Sequence, residues 1–222
     1  MSDFNQYKYE WFDPYGPFAP LYMINDLRLE FIRQLKLKDI KKIIDVGCGA
    51  GIATNKMPEL FPDAQISGLD ASNNAVKLAT HYAKTFNIKT QFICQSALSP
   101  IKGKYDLVAC FELIEHLDDP KALVENLVST LKKNSILIIS TLDRSIVSFI
   151  QNILIAEDLL GIIEPGTHDI NQFLRPSELI KLVESYGLSL VQMSGFEINP
   201  INFETSLSQT QFANYIVAFK KY

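Results

Sequence analysis

The sequence predicts an α/β fold in which helices cover both faces of a mostly parallel sheet. Three observations support this prediction. Strand-like and helix-like segments alternate through most of the chain, the first strand runs directly into alternating glycines, and two strand-like runs near the end have no helix between them. The chain has 222 residues, of which 47% are hydrophobic, so it is long enough to bury the core of such a fold. We expect residues 1–222 to form a single domain.

The parallel strands are predicted from short apolar runs bounded by turn residues. They cover residues 42–46, 65–69, 90–94, 105–111 and 135–141. Ahead of them, a first helix is predicted over residues 24–37 from apolar side chains at helical spacing. The helix after the fourth strand starts with Asp118 or Asp119 as N-cap and Pro120 in its first turn. A last helix spans about residues 176–186 and ends at Gly187.

The end of the chain breaks the alternation of strands and helices. Two strand-like runs, Leu188–Met193 and Ala213–Phe219, follow one another with no helical pattern between them. Consecutive strands without a crossover helix pair in an antiparallel manner. We therefore expect an antiparallel pair to close an otherwise parallel sheet.

Two segments lie outside this regular pattern. Residues 1–24 are rich in aromatic side chains and in prolines, which predicts a lid or strap across the mouth of a site, or simple packing onto the core. Residues 145–165 form an apolar insertion whose most hydrophobic part is 145–163. Polar residues interrupt this part, which argues against a membrane-spanning helix. It is predicted to cap an apolar substrate pocket or to dip into a membrane interface.

Composition excludes some classes of protein. The net charge of -4 and the isoelectric point near 5.4 argue against a protein that binds nucleic acid. Cys48, Cys94 and Cys110 are odd in number and lie in apolar contexts, which indicates reduced thiols and a cytoplasmic protein. The N-terminal residues do not form a signal peptide pattern. The oligomeric state stays open.

The glycines after the first strand predict the kind of ligand. Gly47, Gly49 and Gly51 are spaced Gly-x-Gly-x-Gly, whereas a dinucleotide site has Gly-x-Gly-x-x-Gly, so an NAD or flavin oxidoreductase is disfavoured. Asp70 ends the second strand, where nucleotide-binding folds place a carboxylate that binds a ribose. Together they predict an adenosyl ligand without a pyrophosphate, and S-adenosylmethionine is the candidate. An ordinary turn with a surface aspartate is the alternative.

Ligands of such sheets bind outside the carboxyl ends of the strands, which selects further residues. Gly47 would allow close approach of the methionine part of the cofactor, and Asp70 would accept hydrogen bonds from the ribose hydroxyls. Asp45 would order the glycine loop or contact the amino group of the cofactor. Ser96 would border the adenine. Phe111 would pack near the methionine chain or the sulfonium.

Three side chains after the fourth strand are suited to catalysis. If a helical turn begins at Glu112, then Glu112, Glu115 and His116 share one face and could hold Mg²⁺, Mn²⁺ or Zn²⁺. The alternative is a site without metal, in which these residues cap a helix or line the pocket. His116 or His168 would then act as the general base.

The chain resembles a known family in several motifs. Over most of its length it is similar to the ubiquinone biosynthesis O-methyltransferases, which methylate phenol hydroxyls of polyprenylated quinone precursors. The motifs are Trp11-Phe12-Asp13, Pro20-Leu21, Ile24 to Arg28, Asp45 to Gly51, Gly68-Leu69-Asp70, Glu112 to His116, Ser140 to Arg144, Gly166 to Asp169, and Asn199-Pro200-Ile201.

This resemblance implies a Rossmann-like class I methyltransferase fold, with seven strands in the order 3-2-1-4-5-7-6. It implies that Arg28, Gly47, Asp70 and Phe111 contact S-adenosylmethionine. It also implies that Glu112, Glu115 and His116 are the metal-linked residues of some family members. Peripheral contact with the inner face of the membrane through residues 145–163 is a further implication, because the substrate is lipophilic.

The expected reaction is direct transfer of the sulfonium methyl group to a phenol oxygen. A phenol has a pKa of about 10, so only about one molecule in a thousand is ionised near neutral pH. Removal of the phenol proton would be assisted by a metal ion at the metal-linked residues, or by His116 or His168 acting as the base. Glu115 belongs to the same catalytic group. The alternatives are a methyltransferase of a soluble phenol or carboxylate, and a regulatory protein that binds S-adenosylmethionine without turnover.

Overall fold

The computed structural model describes residues 19–143, 173–198, 205–209 and 214–222, which form an eight-stranded sheet with helices on both faces. The helices are α1 (Ala19–Gln34), α2 (Ile52–Lys56), α3 (Asn73–Thr85), α4 (Pro120–Thr130) and α5 (Pro176–Glu184). The strands are β1 (Lys42–Val46), β2 (Gln65–Asp70), β3 (Thr90–Cys94), β4 (Tyr105–Phe111), β5 (Leu131–Leu142), β6 (Leu188–Ile198), β7 (Thr205–Ser208) and β8 (Asn214–Lys221).

The strand order is β3-β2-β1-β4-β5-β8-β6-β7. Strands β1 to β5 pair in parallel, whereas β8 runs antiparallel to both β5 and β6. The predicted order is confirmed for seven strands, with β8 in the place of the predicted seventh. The predicted number of strands is wrong, because β7 pairs with β6 at the edge of the sheet. Its sequence, Thr-Ser-Leu-Ser, has no apolar run that would predict a strand.

The first four strands lie where the sequence predicts them, and β5 starts earlier than predicted. It begins at Leu131, and its pairing with β4 shifts between Tyr105 and Leu107. Asn134 has a φ of 60° at this irregularity, directly before the predicted start of the strand, and the ladder continues on both sides of it. A left-handed residue inside a strand is typical of a bulge.

Helix α1 begins at Ala19, which corrects two predictions. The predicted start at residue 24 is too late, and residues 19–24, which lie in the predicted lid or strap, are helical although the prolines of that segment predict otherwise. Pro20 lies in the first turn, where backbone N–H groups have no acceptor within the helix. The lack of an N–H in proline therefore costs no hydrogen bond there. The rest of the predicted lid, 1–18, lies outside the described residues, as do the insertion at 145–165 and His168.

The core has two apolar layers, one on each face of the sheet. Helices α4 and α5 cover one face, with Leu123, Leu127 and Leu179 fully buried, and α1 covers the other with Phe31. Asp119 caps α4 as predicted, because its carboxylate accepts a hydrogen bond from the N–H of Ala122. With both faces covered, the carboxyl ends of β1, β2, β4 and β5 are left at one edge of the sheet.

The described residues also bear on the predictions on membrane crossing and on the cysteines. Within them, no helix has both the length and the hydrophobicity that crossing a membrane requires. Cys48, Cys94 and Cys110 are free thiols, as expected for reduced cysteines.

Candidate active site

The glycine turn lies at the carboxyl end of β1. Gly47 has a φ of 81°, and a β-carbon at this position would come within 2.8 Å of the Leu113 side chain. Gly51 has a φ of 77° and precedes α2 directly. The N–H groups of Gly47 and Cys48 both donate to the carbonyl oxygen of Leu69, at 2.7 and 3.0 Å. The turn is therefore tied to β2, and glycine is required for both its conformation and its packing.

Asp70 holds this turn from the end of β2. One carboxylate oxygen accepts a hydrogen bond from the N–H of Gly49, and the other accepts one from the N–H of Ser72, both at 2.8 Å. The N–H of Gln95 donates to the Asp70 carbonyl oxygen, which brings the loop after β3 to the same edge. Ser96 is exposed in that loop. The roles of Asp70 at a ribose and of Ser96 at an adenine stay predictions.

Asp45 is buried below the turn, with an exposed fraction of 1%. Thr54 in α2 donates a hydrogen bond of 2.6 Å to one carboxylate oxygen, and the other oxygen has no partner among the described residues. Burial raises the pKa of Asp45 to about 6, against the opposing effects of the Thr54 hydrogen bond and the Arg28 charge. The contact with Thr54 joins the end of β1 to α2 across the glycine turn, and the roles of Asp45 at the glycine loop or at the cofactor stay predictions. Sequence analysis did not select Thr54.

Arg28 lies in α1 and is 4% exposed. Its guanidinium carbon lies 5.0 Å from the ring centre of Phe111, and Nη1 donates to Asn25 at 3.2 Å. Nη2 is 3.2 Å from Oε1 of Glu112, which is an ion-pair distance without hydrogen-bond geometry. Within the described part of the chain, Nε and Nη2 therefore have no hydrogen-bond partner. A buried guanidinium with two unpaired nitrogens is suited to bind a carboxylate.

Glu112 adopts a left-handed conformation directly after β4, with a φ of 46°. Its N–H donates to the carbonyl oxygen of Ser140 at 3.0 Å, and the Ser140 hydroxyl donates to Oε1 at 2.7 Å. Nδ2 of Asn214 lies 3.5 Å from Oε2. A non-glycine residue in this region is strained, and such strain is typical of functional sites. Sequence analysis missed the contacts of Ser140 and Asn214. The signal for both is a polar side chain at the end of an apolar strand.

Glu115 is buried in a short 3₁₀ turn, Ile114–His116, and is 2% exposed. The Thr141 hydroxyl donates to one carboxylate oxygen at 2.8 Å, and the other has no partner among the residues described. Burial, and then the negative charge of Glu112, raise the pKa of Glu115 well above its usual value. The side chain is therefore set up to carry a proton, because ionising it would place two carboxylates side by side.

The structure does not bring the three predicted metal ligands together on one face, and their metal role stays a prediction. Glu112 lies before the 3₁₀ turn in a left-handed conformation, so Glu112, Glu115 and His116 do not share one helical face. Among the described residues, no three His, Cys, Asp or Glu side chains come together in a way that could hold a metal ion. Arg28 instead lies beside the Glu112 carboxylate.

Comparison with known proteins identifies the class to which this protein belongs. A family model described as a methyltransferase domain matches residues 21–193, so the chain is a methyltransferase. Among curated proteins, the ubiquinone biosynthesis O-methyltransferase of Coxiella burnetii (strain RSA 331 / Henzerling II) is 31% identical over 99% of this chain and 94% of its own. The protein of the same name from Vibrio parahaemolyticus is 34% identical over 100% of this chain and 95% of its own. The chain belongs to the ubiquinone biosynthesis O-methyltransferase family, which confirms the resemblance in the sequence.

Solved structures confirm the fold class. The magnesium protoporphyrin IX methyltransferase of Synechocystis PCC 6803 with bound SAH has a TM-score of 0.63 and 18% identity, covering 90% of this chain and 81% of its own. An S-adenosylmethionine-dependent methyltransferase from Clostridium acetobutylicum ATCC 824 has a TM-score of 0.64 and 13% identity, covering 90% of this chain and 91% of its own. The predicted Rossmann-like class I fold is thus correct.

Proposed function

We propose that this enzyme transfers the methyl group of S-adenosylmethionine to a phenol hydroxyl of a polyprenylated quinone precursor. The observation that carries the proposal is the buried guanidinium of Arg28, at the edge of the sheet that holds the glycine turn, whose Nε and Nη2 have no hydrogen-bond partner among the described residues. These donors would bind the carboxylate of the cofactor. Gly47 would admit its methionine part, Asp70 would bind its ribose, and Phe111 would pack near its sulfonium.

In the proposed reaction, the sulfonium S–CH₃ bond breaks as the new O–CH₃ bond forms, and the phenol proton passes to a base. Ionising the phenol near neutral pH costs about 4 kcal/mol, and the base offsets this cost. His116 follows Glu115 in the 3₁₀ turn at this edge and is the candidate base. His168, outside the described residues, is the second candidate. The protein further contributes the alignment of the two reacting groups.

Product analysis tests this proposal. We expect mass spectrometry to detect a singly methylated product after incubation with S-adenosylmethionine and a short-tailed polyprenyl catechol. His116→Ala should lower kcat by about 100-fold or more while cofactor affinity is retained. Activity that survives thorough chelation would exclude a role for a metal ion. Tight cofactor binding without any product would indicate a regulatory protein instead, and turnover of tail-free phenols or carboxylates alone would indicate a soluble substrate.

We propose, in addition, that residues 145–163 contact the cytoplasmic face of the membrane, where a polyprenylated substrate resides. Their sequence is apolar and has no lysine or arginine, so binding would depend on apolar burial more than on anionic lipid. We expect the protein to float with phosphatidylcholine vesicles and the double variant Ile150→Asp/Ile153→Asp to stay at the bottom of the gradient. Leu98→Asp is the matched control, since Leu98 is an exposed apolar residue elsewhere. Equal flotation of all three proteins would contradict contact through this segment.

A further inference from the structure

We propose that Ser140 and Asn214 are positioning residues that restrain Glu112, so that the free donors of Arg28 stay open for the cofactor carboxylate. The proposal rests on the function proposed above, in which Arg28 binds that carboxylate. Neither residue needs to touch the cofactor. Their effect passes through Glu112, which lies between them and the guanidinium.

The geometry around Glu112 shows which contact is dominant. Oε1 of Glu112 is 2.7 Å from the Ser140 hydroxyl that donates to it, but 3.2 Å from Nη2 of Arg28 without hydrogen-bond geometry. Planar guanidinium and carboxylate groups at this separation usually form two parallel hydrogen bonds. The carboxylate is therefore turned toward Ser140. Its negative charge still offsets the buried charge of Arg28.

Ser140 is well placed to impose this orientation. It is fully buried in the middle of the sheet, where it pairs with Phe111 of β4 on one side and with Ile216 of β8 on the other. Its carbonyl oxygen accepts the N–H of Glu112, and its hydroxyl donates to the side chain of the same residue. One immobile residue thus holds both the strained backbone of Glu112 and its carboxylate.

Asn214 supplies the second restraint. It is the first residue of β8, opposite Leu142, and its Nδ2 lies 3.5 Å from the other oxygen of Glu112. Since the two oxygens are approached from two different strands, rotation of the carboxylate toward Arg28 would weaken both contacts. Oδ1 of Asn214 is buried, and no hydrogen-bond partner lies within the part of the chain that the structure describes.

The consequence is that Glu112 is kept from pairing with the Arg28 donors before the cofactor binds. If the Ser140 hydroxyl were lost, Oε1 would be free to turn onto Nη2 of Arg28, and the cofactor would have to displace it. Such a change weakens binding of the cofactor without altering the reacting atoms. It should therefore raise Kd and KM for S-adenosylmethionine and leave kcat almost unchanged.

The test compares Ser140→Ala with wild type by calorimetric titration with S-adenosylhomocysteine in the absence of substrate. We expect Kd to rise about tenfold, which corresponds to about 1.4 kcal/mol. Ser140→Thr, which keeps the hydroxyl, should restore most of the affinity. Asn214→Ala, at a less buried position, should raise Kd by about threefold and serves as the second variant if Ser140→Ala is poorly folded.

Ser135→Ala is the matched control. Ser135 lies on the same strand and is also buried, but its hydroxyl donates to the carbonyl oxygen of Lys132 at 2.6 Å, remote from Glu112. We expect its Kd to stay within about twofold of wild type. A Ser140→Ala variant that binds as tightly as wild type, or more tightly, would overturn the proposal.

Two further measurements separate this role from a general loss of structure. In a Glu112→Gln background, Ser140→Ala should have almost no effect on Kd, because the amide cannot pair with Arg28 as a carboxylate does. With 5′-methylthioadenosine, which lacks the carboxylate, Ser140→Ala should bind like wild type. An undiminished effect in either measurement would overturn the inference. Wild type that fails to bind S-adenosylhomocysteine at all would overturn the proposed function itself.

Discussion

Arg28→Gln should weaken the binding of S-adenosylhomocysteine by about 100-fold, because the substitution removes the charged partner of the cofactor carboxylate. Arg28 is 4% exposed, and its Nε and Nη2 have no hydrogen-bond partner in the described residues. The guanidinium is therefore already removed from water before the ligand binds. Arg28→Lys should recover little of the affinity, since an ammonium group cannot form two parallel hydrogen bonds. Calorimetric titration measures both variants.

Two comparisons define what this result means. Arg33→Gln, in the same helix, removes an exposed arginine paired with Glu30 and should leave cofactor affinity unchanged. Binding of 5′-methylthioadenosine should be nearly equal in wild type and Arg28→Gln, because that compound has no carboxylate. If Arg28→Gln weakens the two ligands equally, the guanidinium does not bind the carboxylate and its role is structural.

Asp45→Asn should stabilise the protein at neutral pH by about 3 kcal/mol and have little effect near pH 4. The pKa of Asp45 is raised from 3.8 to about 6, chiefly by burial, so the folded state binds the proton more tightly than the unfolded state does. Below the pKa that Asp45 has in the unfolded chain, this proton makes its full contribution to the free energy of unfolding. The contribution is lost as the pH rises through about 6. Asparagine carries no charge and avoids this loss. Urea denaturation across this pH range measures the difference.

Asp106→Asn provides a control in which the substitution is expected to have the opposite effect on stability. Burial pushes the pKa of Asp106 up, but hydrogen bonds from Lys132 and from the N–H groups of Lys41 and Lys42 outweigh burial and hold the pKa below its usual value. Asp106→Asn should therefore cost stability at neutral pH, and the cost should vanish as the pH falls. A stability difference between Asp45→Asn and wild type that does not change with pH would show that the surroundings of Asp45 do not raise its pKa.

The parallel part of the sheet was predictable because each strand carries apolar residues and is bounded by turn residues. β1 and β4 have the predicted bounds, and β2 ends one residue later. β7 was not predictable, since an edge strand of four residues with a single apolar side chain carries no hydrophobic signal. The start of β5 was missed because Lys133 and Asn134 have the composition of a turn, although the strand continues through them.

The site was predictable where backbone geometry depends on residue type. The turn at Gly47 needs a left-handed residue without a side chain, and Asp70 accepts one backbone hydrogen bond from that turn, at Gly49, and one from Ser72. The helical face predicted for Glu112, Glu115 and His116 is not present, because helical spacing assumes a helix, whereas Glu112 has a φ of 46°. Strain of this kind depends on contacts with β5 and β8, which lie far away in sequence. The same distance explains why Ser140 and Asn214 were missed.

The position of β8 has a consequence for biosynthesis. Among the eight strands, it is the last to leave the ribosome, yet it lies between β5 and β6 and joins the parallel half of the sheet to its antiparallel edge. Tyr215, Val217 and Phe219 are completely buried in it. Until this strand is translated, the nascent chain exposes two open sheet edges, which are prone to aggregation. Chaperones that shield such edges should therefore matter most for this protein in the interval before β8 has been translated.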